Sequence, residues 1–486
     1  MARRNQPINA DVPPPAPPTA ADPKPAPDPK PAADPKPAAD PKPAADPKPA
    51  ADPKPEADPK PAEETAASAS KPPPPRPRRR MPAALKALAA LVLIAVVFIV
   101  AAIVGGSNEG NSIPGAAPSG GQTTTANEAT TAAEPAPTES TEELGYPEFA
   151  TNNTTRVGGP DPASNAAGVA LAVFPSQTPE QRPDAVVLVD EGDWQSAIAA
   201  AVLMAEPIRA PLLISSADDV PEATETAVQS LDPAGSGAAH GAQAFAIGEA
   251  AAPDGIQTTR VHGTGAAGAA AIAQLRDKLF GGPPRHVVIA PSEKPEFAMP
   301  AAAWAARSGD PVLYSGLESL PAPTVRALKR HPEVPVYVLG PSSAISSKVV
   351  RQIAAIDSRV RRVSGENPVT NAIAFARYLD GSFGWNVNDP GHGFVVARSD
   401  SPLDAVAAAP LSASGTWGPL LLTDSADTLP PALREYLLDV KPGYTSDPTR
   451  AFYNHVWVIG DQDAIGVTQQ AEIDELAELA KIGGRK

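Results

Sequence analysis

The sequence predicts an α/β protein whose folded part consists of three tandem modules of parallel βαβ units. The first observation is a repeat: VYVLGPSSAI at Val336–Ile345 returns as VWVIGDQDAI at Val456–Ile465, and AFAIGEA at Ala244–Ala250 is a weaker third copy. The second is that short runs of Val, Ile and Leu alternate with alanine-rich stretches long enough for helices. Such runs favour strands buried on both faces, as in parallel sheets covered by helices. A motif written three times therefore indicates three copies of one α/β unit.

The first 80 residues are dominated by proline and cannot form a packed core. The chain of 486 residues contains 62 prolines, and between Asp22 and Pro61 a hexad close to AADPKP recurs. Proline at nearly every third position removes helix and sheet hydrogen bonds and favours polyproline II. We predict that residues 1–80 form a disordered cytoplasmic tract. It serves either as a solvated spacer or as a ligand for a cytoplasmic, proline-recognising partner.

A transmembrane helix is predicted over residues 83–105. The run from Ala87 to Val104 carries no charge, and at 1.5 Å per residue it spans roughly 27 Å, enough for the hydrocarbon core of a bilayer. Lys and Arg precede this run and are absent after it as far as Thr155. Because cytoplasmic flanks carry the excess of Lys and Arg, we predict a cytoplasmic N-terminus and an extracytoplasmic C-terminal domain.

The composition changes again after the predicted membrane span. Residues 106–153 are rich in Gly, Ser, Thr, Glu, Pro and Ala, which predicts a flexible extracytoplasmic stalk. The folded part then covers 154–479, followed by a tail at 480–486. The absence of cysteine excludes disulfides and thiolate metal sites. The formal net charge of −15 argues against a nucleic-acid partner, which needs a basic surface.

Each predicted module begins with a short basic and apolar unit, so the boundaries are 154–257, 258–360 and 361–479. An alanine-rich helix follows, then a first strand, a second alanine-rich helix, a second strand, a helix that starts at proline, and a third strand. The opening units are TTRVGG from Thr154, TTRVHG from Thr258 and RRVSG from Arg361, and the first strands are AVVLV from Ala185, HVVIA from His286 and GFVVA from Gly393.

This ordered pattern resembles the cell-wall-binding repeat 2 family of Gram-positive surface proteins. The matching features are R-V-x-G, a buried strand, an alanine-rich helix, P-[LV]-L, L-P before a helix, and a closing V-x-V-[IL]-G-x-x-x-A-[IL]. The resemblance covers the whole folded part. It implies three Toprim-like, Rossmann-like modules in a pseudo-threefold arrangement, which bind an anionic cell-wall polysaccharide noncovalently.

The chain departs from the family pattern at several positions. The family's F-P-D-A-L stretch survives as PLDAV, with Asp404, only in the third module. The family's arginine and threonine after the opening glycine are replaced by Pro162, Ala266 and Pro368, and by Asn165, Ala269 and Asn371. These departures weaken the inference about the ligand more than the inference about the fold.

Four residues are candidates for polymer binding: Arg156, Arg260, Arg362 and Asp404. The three arginines occupy the same place in the three opening units. Arginine forms charge-assisted hydrogen bonds to acidic groups, and backbone amides at helix N-termini attract anions in the same way. The alternative is structural, in which each arginine pairs with a neighbouring group inside the fold.

Other motifs that could indicate a cofactor, catalytic or metal site have structural explanations or lack the required pattern. GTGAAG at Gly263–Gly268 has the form of a dinucleotide-binding turn, but the other modules lack it, so we predict small-residue helix packing and no cofactor. The acidic clusters at Asp190–Asp193 and at Asp461 with Asp463 could supply a carboxylate pair for glycoside cleavage, yet they do not recur. The six histidines show no metal-ligand spacing, and no Gly-x-Ser-x-Gly motif occurs. Because aromatic residues make up only 5% of the chain, sugar stacking is not expected to dominate.

We therefore predict a non-enzymatic envelope protein that links membrane and wall. One transmembrane helix holds it in the bilayer, and its three-module ectodomain binds an anionic cell-wall polysaccharide. One alternative is a diverged structural or regulatory interaction module that no longer binds polymer. A less favoured alternative is a hydrolase of wall glycan, which would require two carboxylates in one cleft.

Overall fold

Three four-stranded parallel sheets with the same strand order form the framework of residues 147–483, which the computed structural model describes. In each sheet the second strand of a module lies at one edge, followed by the first strand, the third strand and an opening strand. The sheets contain β4 (Leu212–Ser215), β3 (Val186–Asp190), β5 (Ala244–Ile247) and β6 (Thr258–Val261); then β8 (Val312–Ser315), β7 (Val287–Pro291), β9 (Val336–Leu339) and β10 (Val360–Val363); and finally β12 (Leu420–Thr423), β11 (Gly393–Arg398), β14 (His455–Ile459) and β2 (Thr154–Val157).

The strands are where the apolar runs predicted them. The first and second strands consist largely of Val, Leu and Ile and are buried along most of their length. They need cover on both faces, which the helices provide. The prediction of an α/β fold with parallel sheets is confirmed.

The helices alternate with the strands, and many begin at proline. Proline suits the first turn because its missing N–H has no intrahelical partner there. The helices are α1 (Pro162–Val173), α2 (Trp194–Ala200), α3 (Glu222–Leu231), α4 (Gly265–Leu279), α5 (Pro295–Ala298), α6 (Pro300–Ser308), α7 (Ala322–Arg330), α8 (Ser347–Ala354), α9 (Pro368–Arg377), α10 (Pro402–Ala413), α11 (Pro431–Asp439) and α12 (Val467–Ala477).

The alanine-rich helices α2, α6 and α10 pack against one another in the centre of the fold. Each follows the first strand of its module, and α2 continues into a 3-10 turn at Ala201–Met204. Their alanines are almost fully buried and belong to one hydrophobic core shared by all three modules. Alanine allows this close approach because its side chain adds little bulk between helix axes.

The opening strands complete the sheets of neighbouring modules. Strand β6 pairs with β5 of the preceding module, and β10 pairs with β9 in the same way. The opening strand of the first module, β2, pairs with β14 of the third, with Thr154 opposite Val456. A short antiparallel strand, β1 (Pro147–Ala150), extends this third sheet. Each sheet thus contains three strands of one module and the opening strand of the next module. The sheet of the third module is completed by the opening strand of the first.

Two short strands lie near the C-terminus, and several predictions fall outside the described residues. The strands β13 (Gly443–Tyr444) and β15 (Ala480–Lys481) pair in parallel. The predicted proline tract at 1–80, the membrane span at 83–105 and residues 106–146 of the predicted stalk lie outside 147–483. Within 147–483, every helix is too short or too polar to cross a bilayer.

Candidate functional site

The three arginines predicted from the repeat hold neighbouring strands together. Each lies on an opening strand and donates to the carbonyl of the glycine that ends the adjacent third strand. The pairs are Arg156 with Gly460, Arg260 with Gly248 and Arg362 with Gly340. The arginine of R-V-x-G and the glycine of V-x-V-[IL]-G are therefore partners across one strand pair. This contact explains why both motifs are written three times.

Arg156 is fully buried and has four acceptors. Its guanidinium donates to the carbonyl oxygens of Gly460 and Asp461, both at 2.6 Å, and to that of Ile465 at 2.5 Å. Its Nε donates to Oε1 of Gln470 at 2.9 Å. Buried polar groups are hydrogen-bonded because an unmet one carries a desolvation penalty. These four acceptors lie in the loop after β14 and on α12.

Arg362 and Arg260 make the same kind of contact with fewer acceptors, two backbone carbonyls each. Arg362 is half-buried, and besides the Gly340 carbonyl it donates to Ile345 O at 2.6 Å. Burial lowers the pKa of Arg362, although a guanidinium stays protonated in proteins. Arg260 is exposed, and it donates to Gly248 O at 2.7 Å and to Ala250 O at 3.0 Å.

Asp404 lies at the start of α10, where it is only 4% exposed. Its Oδ1 accepts from Nδ2 of Asn165 at 3.0 Å, and Oδ1 of Asn165 in turn accepts from the amide of Gly159 at 2.8 Å. Burial raises the pKa of Asp404. Asn165, which replaces the family's threonine, thus joins the first module to the third.

The three arginines lie on three different sheets and Asp404 lies on α10, and none of the four lines either of the two concavities described below. Their contacts give each a place in the scaffold, and their role in polymer binding stays a prediction. A different group of residues surrounds a large concavity within residues 147–483. We call it the basic cavity: it has a volume of about 1070 Å³ and is lined by Arg209, Arg276, Arg285 and Arg307. None of these four arginines belongs to the repeat, so no sequence pattern predicted them.

The basic cavity lies where the three central helices end. Met204, Ser308 and Ala413, at or near the C-terminal ends of α2 with its 3-10 turn, α6 and α10, all line it. The loops that follow these helices supply Arg209 and Trp417, while Arg307 lies in the last turn of α6. Equivalent segments of the three modules therefore converge on one site with different residues. The signal in the sequence is the position of these segments, since their letters do not repeat.

Three of the cavity arginines carry charge that the fold does not neutralise. Arg209, Arg285 and Arg307 are exposed and form no side-chain hydrogen bond or ion pair with any residue in 147–483. Arg276 differs: it is 7% exposed and donates to Gly309 O at 2.9 Å and to Gly282 O at 2.6 Å. Burial lowers the pKa of Arg276. The first three are thus available to a ligand, and the fourth supports the wall of the cavity.

Aromatic residues border the same cavity. Trp417 is 54% exposed, and its ring centroid lies 5.1 Å from the guanidinium carbon of Arg307. Its φ of +58° is unusual for a bulky side chain. A second concavity of about 440 Å³ shares His392 and Ser414 with the first and is lined by Tyr453 and Trp457. Although aromatic residues make up only 5% of the chain, some of them therefore lie on an exposed face beside the arginines.

The glycine-rich turn GTGAAG packs one helix on another. A Cβ placed on Gly268 would lie 2.2 Å from Oγ of Ser196 on α2 and 2.6 Å from Gly263 O. Only glycine fits between α4 and α2 at this point, as the packing interpretation requires. Within 147–483, no group of three or more His, Asp or Glu side chains is arranged to hold a metal ion.

One segment of the chain matches a known protein family. Residues 362–469 match cell wall binding domain 2. The family resemblance is confirmed. The match begins at the motif arginine of the third opening strand and ends inside α12, so it coincides with the third predicted module.

Two solved structures share the architecture. Cwp6 from Clostridium difficile superposes with a TM-score of 0.54 and 19% identity, over 67% of this chain and 48% of that chain. Cwp8 from the same organism superposes with a TM-score of 0.50 and 20% identity, over 67% of this chain and 52% of that chain. The match thus spans about half of each of those proteins, and at this identity it supports the fold alone. Comparison with curated proteins gave no match.

Proposed function

We propose that this protein is a membrane-anchored component of the cell envelope whose folded region binds an anionic wall polysaccharide noncovalently. The match to cell wall binding domain 2 supports a wall-binding role. Three sheets of identical order around three packed alanine-rich helices support a pseudo-threefold arrangement of Toprim-like modules. Binding of this kind needs no catalytic step.

The observation that carries the proposal is the set of unpaired arginines in the basic cavity. Arg209, Arg285 and Arg307 are exposed and lack a carboxylate partner in 147–483, so they present charge to an acidic ligand without first breaking an ion pair. The formal net charge of the chain is −15, which opposes the approach of an anionic polymer. Contacts in the cavity must outweigh this overall repulsion. They can do so because salt screening limits the range of interactions between exposed charges to about 10 Å at moderate salt.

The proposed anchoring comes from the sequence outside the described residues. The uncharged run at 83–105 with its basic N-terminal flank would place the proline tract in the cytoplasm and residues 147–483 outside the membrane. Protease added to spheroplasts should then digest the folded region and spare residues 1–80. Digestion of the proline tract alone would reverse this topology.

A sedimentation assay with isolated cell walls tests the polymer site. The variant replaces Arg209, Arg285 and Arg307 together with Gln in a fragment covering 147–483. The matched control replaces three other exposed arginines, Arg326, Arg351 and Arg450, with Gln, so that both variants lose the same charge. Because each charge-assisted hydrogen bond contributes about 1.5–3 kcal/mol, even one lost contact should weaken binding about tenfold or more.

We expect the cavity variant to lose wall binding and the control to keep it, and binding of the parent to weaken as salt rises. Equal losses in both variants would mean that binding follows net charge and has no site. A parent fragment that does not pellet with walls would favour the alternative of an interaction module that no longer binds polymer.

A further inference from the structure

A serine, a histidine and an aspartate form a hydrogen-bonded chain in the wall of the basic cavity. Oγ of Ser382 lies 3.3 Å from Nε2 of His286, and Nδ1 of His286 lies 2.9 Å from Oδ2 of Asp310. All three residues line the cavity. Ser382 is exposed, whereas His286 is 7% and Asp310 only 1% exposed. The chain therefore runs from a buried carboxylate to a hydroxyl that solvent and ligands can reach.

The position of Asp310 defines the state of the histidine. Its Oδ1 accepts from the amide of His286 at 3.0 Å, and its Oδ2 also accepts from Nε1 of Trp304 at 3.0 Å. A carboxylate bonded in this way acts as an acceptor, so Nδ1 of His286 must carry the proton. In the neutral imidazole with this tautomer, the lone pair of Nε2 faces Ser382. His286 directly precedes β7 and Asp310 lies two residues before β8, and the pairing of these adjacent strands holds the two residues in register.

Ser382 is held at the tip of a tight turn. Asp380 and Phe383 exchange two backbone hydrogen bonds of 2.9 and 3.0 Å around Gly381 and Ser382, and Gly381 has a φ of +63°. A turn with a positive φ at its first central residue requires glycine there. Phe383 is buried and stacks on Tyr337 with ring centroids 3.6 Å apart, and it packs edge-on against His286. The turn is thereby fixed beside the imidazole.

We propose that Ser382, His286 and Asp310 form the nucleophilic site of a serine hydrolase that cleaves carboxylic esters. Oγ of Ser382 would attack the acyl carbon while His286 Nε2 takes the hydroxyl proton, and Asp310 would stabilise the imidazolium. The tetrahedral intermediate breaks its bond to the alkoxy oxygen, which receives the proton from His286. Water then attacks the acyl-enzyme and gives a proton to His286. The second tetrahedral intermediate breaks its bond to Oγ of Ser382, which takes that proton from His286, and the carboxylic acid leaves.

The basic cavity selects the class of ester. Arg285 and Arg307 line the same cavity and can neutralise a carboxylate or phosphate on the substrate. An ester that also bears an acidic group, such as an acylated unit of an anionic polymer, meets both requirements. This choice of substrate rests on the proposed function, whereas the nucleophile does not. The proposed activity departs from the sequence-based prediction of a non-enzymatic protein. Ser382 lies in the sequence DGSFG, which does not have the form Gly-x-Ser-x-Gly.

Labelling with a fluorophosphonate tests the nucleophile. The full chain, purified in a non-ionic detergent, is treated with the probe, mapped by peptide mass spectrometry and assayed with p-nitrophenyl hexanoate. The variant is Ser382→Ala, and the matched control is Ser446→Ala, an exposed serine outside both cavities. We expect the parent and the control to be labelled at Ser382. Ser382→Ala should lose the label, and its rate of ester hydrolysis should fall by at least about 100-fold.

An unlabelled parent, or a variant labelled and active like the parent, would overturn the proposal. A second substrate separates the two hypotheses: mono-p-nitrophenyl adipate has the same chain length as the hexanoate but ends in a carboxylate. We expect kcat/KM for the adipate to exceed that for the hexanoate by about tenfold, and the difference to vanish in the cavity arginine variant. Labelling without wall binding would refute the polymer site and leave the hydrolase intact.

Discussion

Arg156 and Arg260 occupy the same position in their sheets, yet one is fully buried and the other is exposed. The difference lies in the chain that follows the third strand. After β14 the chain forms α12, whose Gln470 bonds to Arg156, whereas β5 and β6 are joined by residues 248–257 without a helix. The motif residue is the same, and the covering segment decides how deeply it is buried.

The comparison separates two uses of arginine. The opening-strand arginines donate to main-chain carbonyls at equivalent positions and therefore follow the repeat. The arginines of the basic cavity differ from module to module and leave their charge exposed. Repetition thus marks the residues that build the scaffold, and function is better sought among those that do not repeat. Variants that change one member of an equivalent pair test this distinction.

The largest effect is expected from Arg156→Ala. Removing the guanidinium leaves the buried carbonyls of Gly460 and Ile465 without this donor, which should lower the free energy of unfolding by about 3–5 kcal/mol. Arg260→Ala is the matched variant, and it should lower it by about 1 kcal/mol or less because water can replace the exposed side chain. Denaturant unfolding of both variants measures the difference. Equal losses would show that the different burial of Arg156 and Arg260 does not change their contribution to stability.

The next effect concerns the glycines that accept from these arginines. Gly460 has a φ of +105°, and a Cβ there would lie 2.8 Å from Cβ of Ala464. Gly248 has a φ of +62°, close to the left-handed region that other residues occasionally adopt, and its nearest neighbour would be 3.5 Å away. Gly460→Ala should lower the free energy of unfolding by about 1–3 kcal/mol, and Gly248→Ala by less. A larger loss for Gly248→Ala would contradict this ranking.

Local pattern was enough to predict the strands and helices, but not which strands pair. The runs at AVVLV, HVVIA and GFVVA became β3, β7 and β11 because their burial is encoded in their own residues. The pairing of Thr154 with Val456 joins segments about 300 residues apart, and a pattern within either segment carries no information about the other. The prediction therefore grouped each opening strand with the module that follows it.

The site was less predictable than the fold for the same reason. Arg209, Arg307 and Trp417 come from equivalent segments of three modules, but they are single residues in unrelated contexts. Ser382 and His286 are almost a hundred residues apart in the sequence and meet only because a turn is anchored beside β7. Both groups depend on tertiary packing, which periodicity and spacing do not describe.

A smaller effect is expected from Trp417→Ala in the basic cavity. Trp417 borders the site and stacks near Arg307, so its loss removes an exposed ring face and the cation–π contact that orients the guanidinium. Such contacts contribute about 0.5–2 kcal/mol, and wall affinity should fall about threefold to tenfold in the sedimentation assay. Phe452→Ala is the control, since Phe452 is 71% exposed and lines neither cavity. An equal loss in both variants would refute a specific role for Trp417.

The smallest effect concerns Asp404, which lies near Gly460, the residue whose carbonyl accepts from Arg156. A Cβ on Gly460 would lie 4.0 Å from Oδ2 of Asp404. Burial is the main cause of its raised pKa, and the nearby carboxylates of Asp461 and Asp400 raise the pKa further. A carboxyl whose folded pKa exceeds its unfolded value of 3.8 destabilises the protein as pH rises through the folded pKa. Asp404→Asn keeps the oxygen that accepts from Asn165 and removes this charge.

We therefore expect Asp404→Asn to melt about 1–2 °C above the parent at pH 7, with the difference shrinking as pH falls toward about 4. Asp400→Asn should behave oppositely, because the Arg398 hydrogen bond lowers the pKa of Asp400, and the stability that this contact contributes is lost as pH falls. Calorimetry of both variants across this pH range tests the sign. A lower melting temperature for Asp404→Asn at pH 7 would show that the fold requires the buried negative charge at this position, contrary to the expected sign.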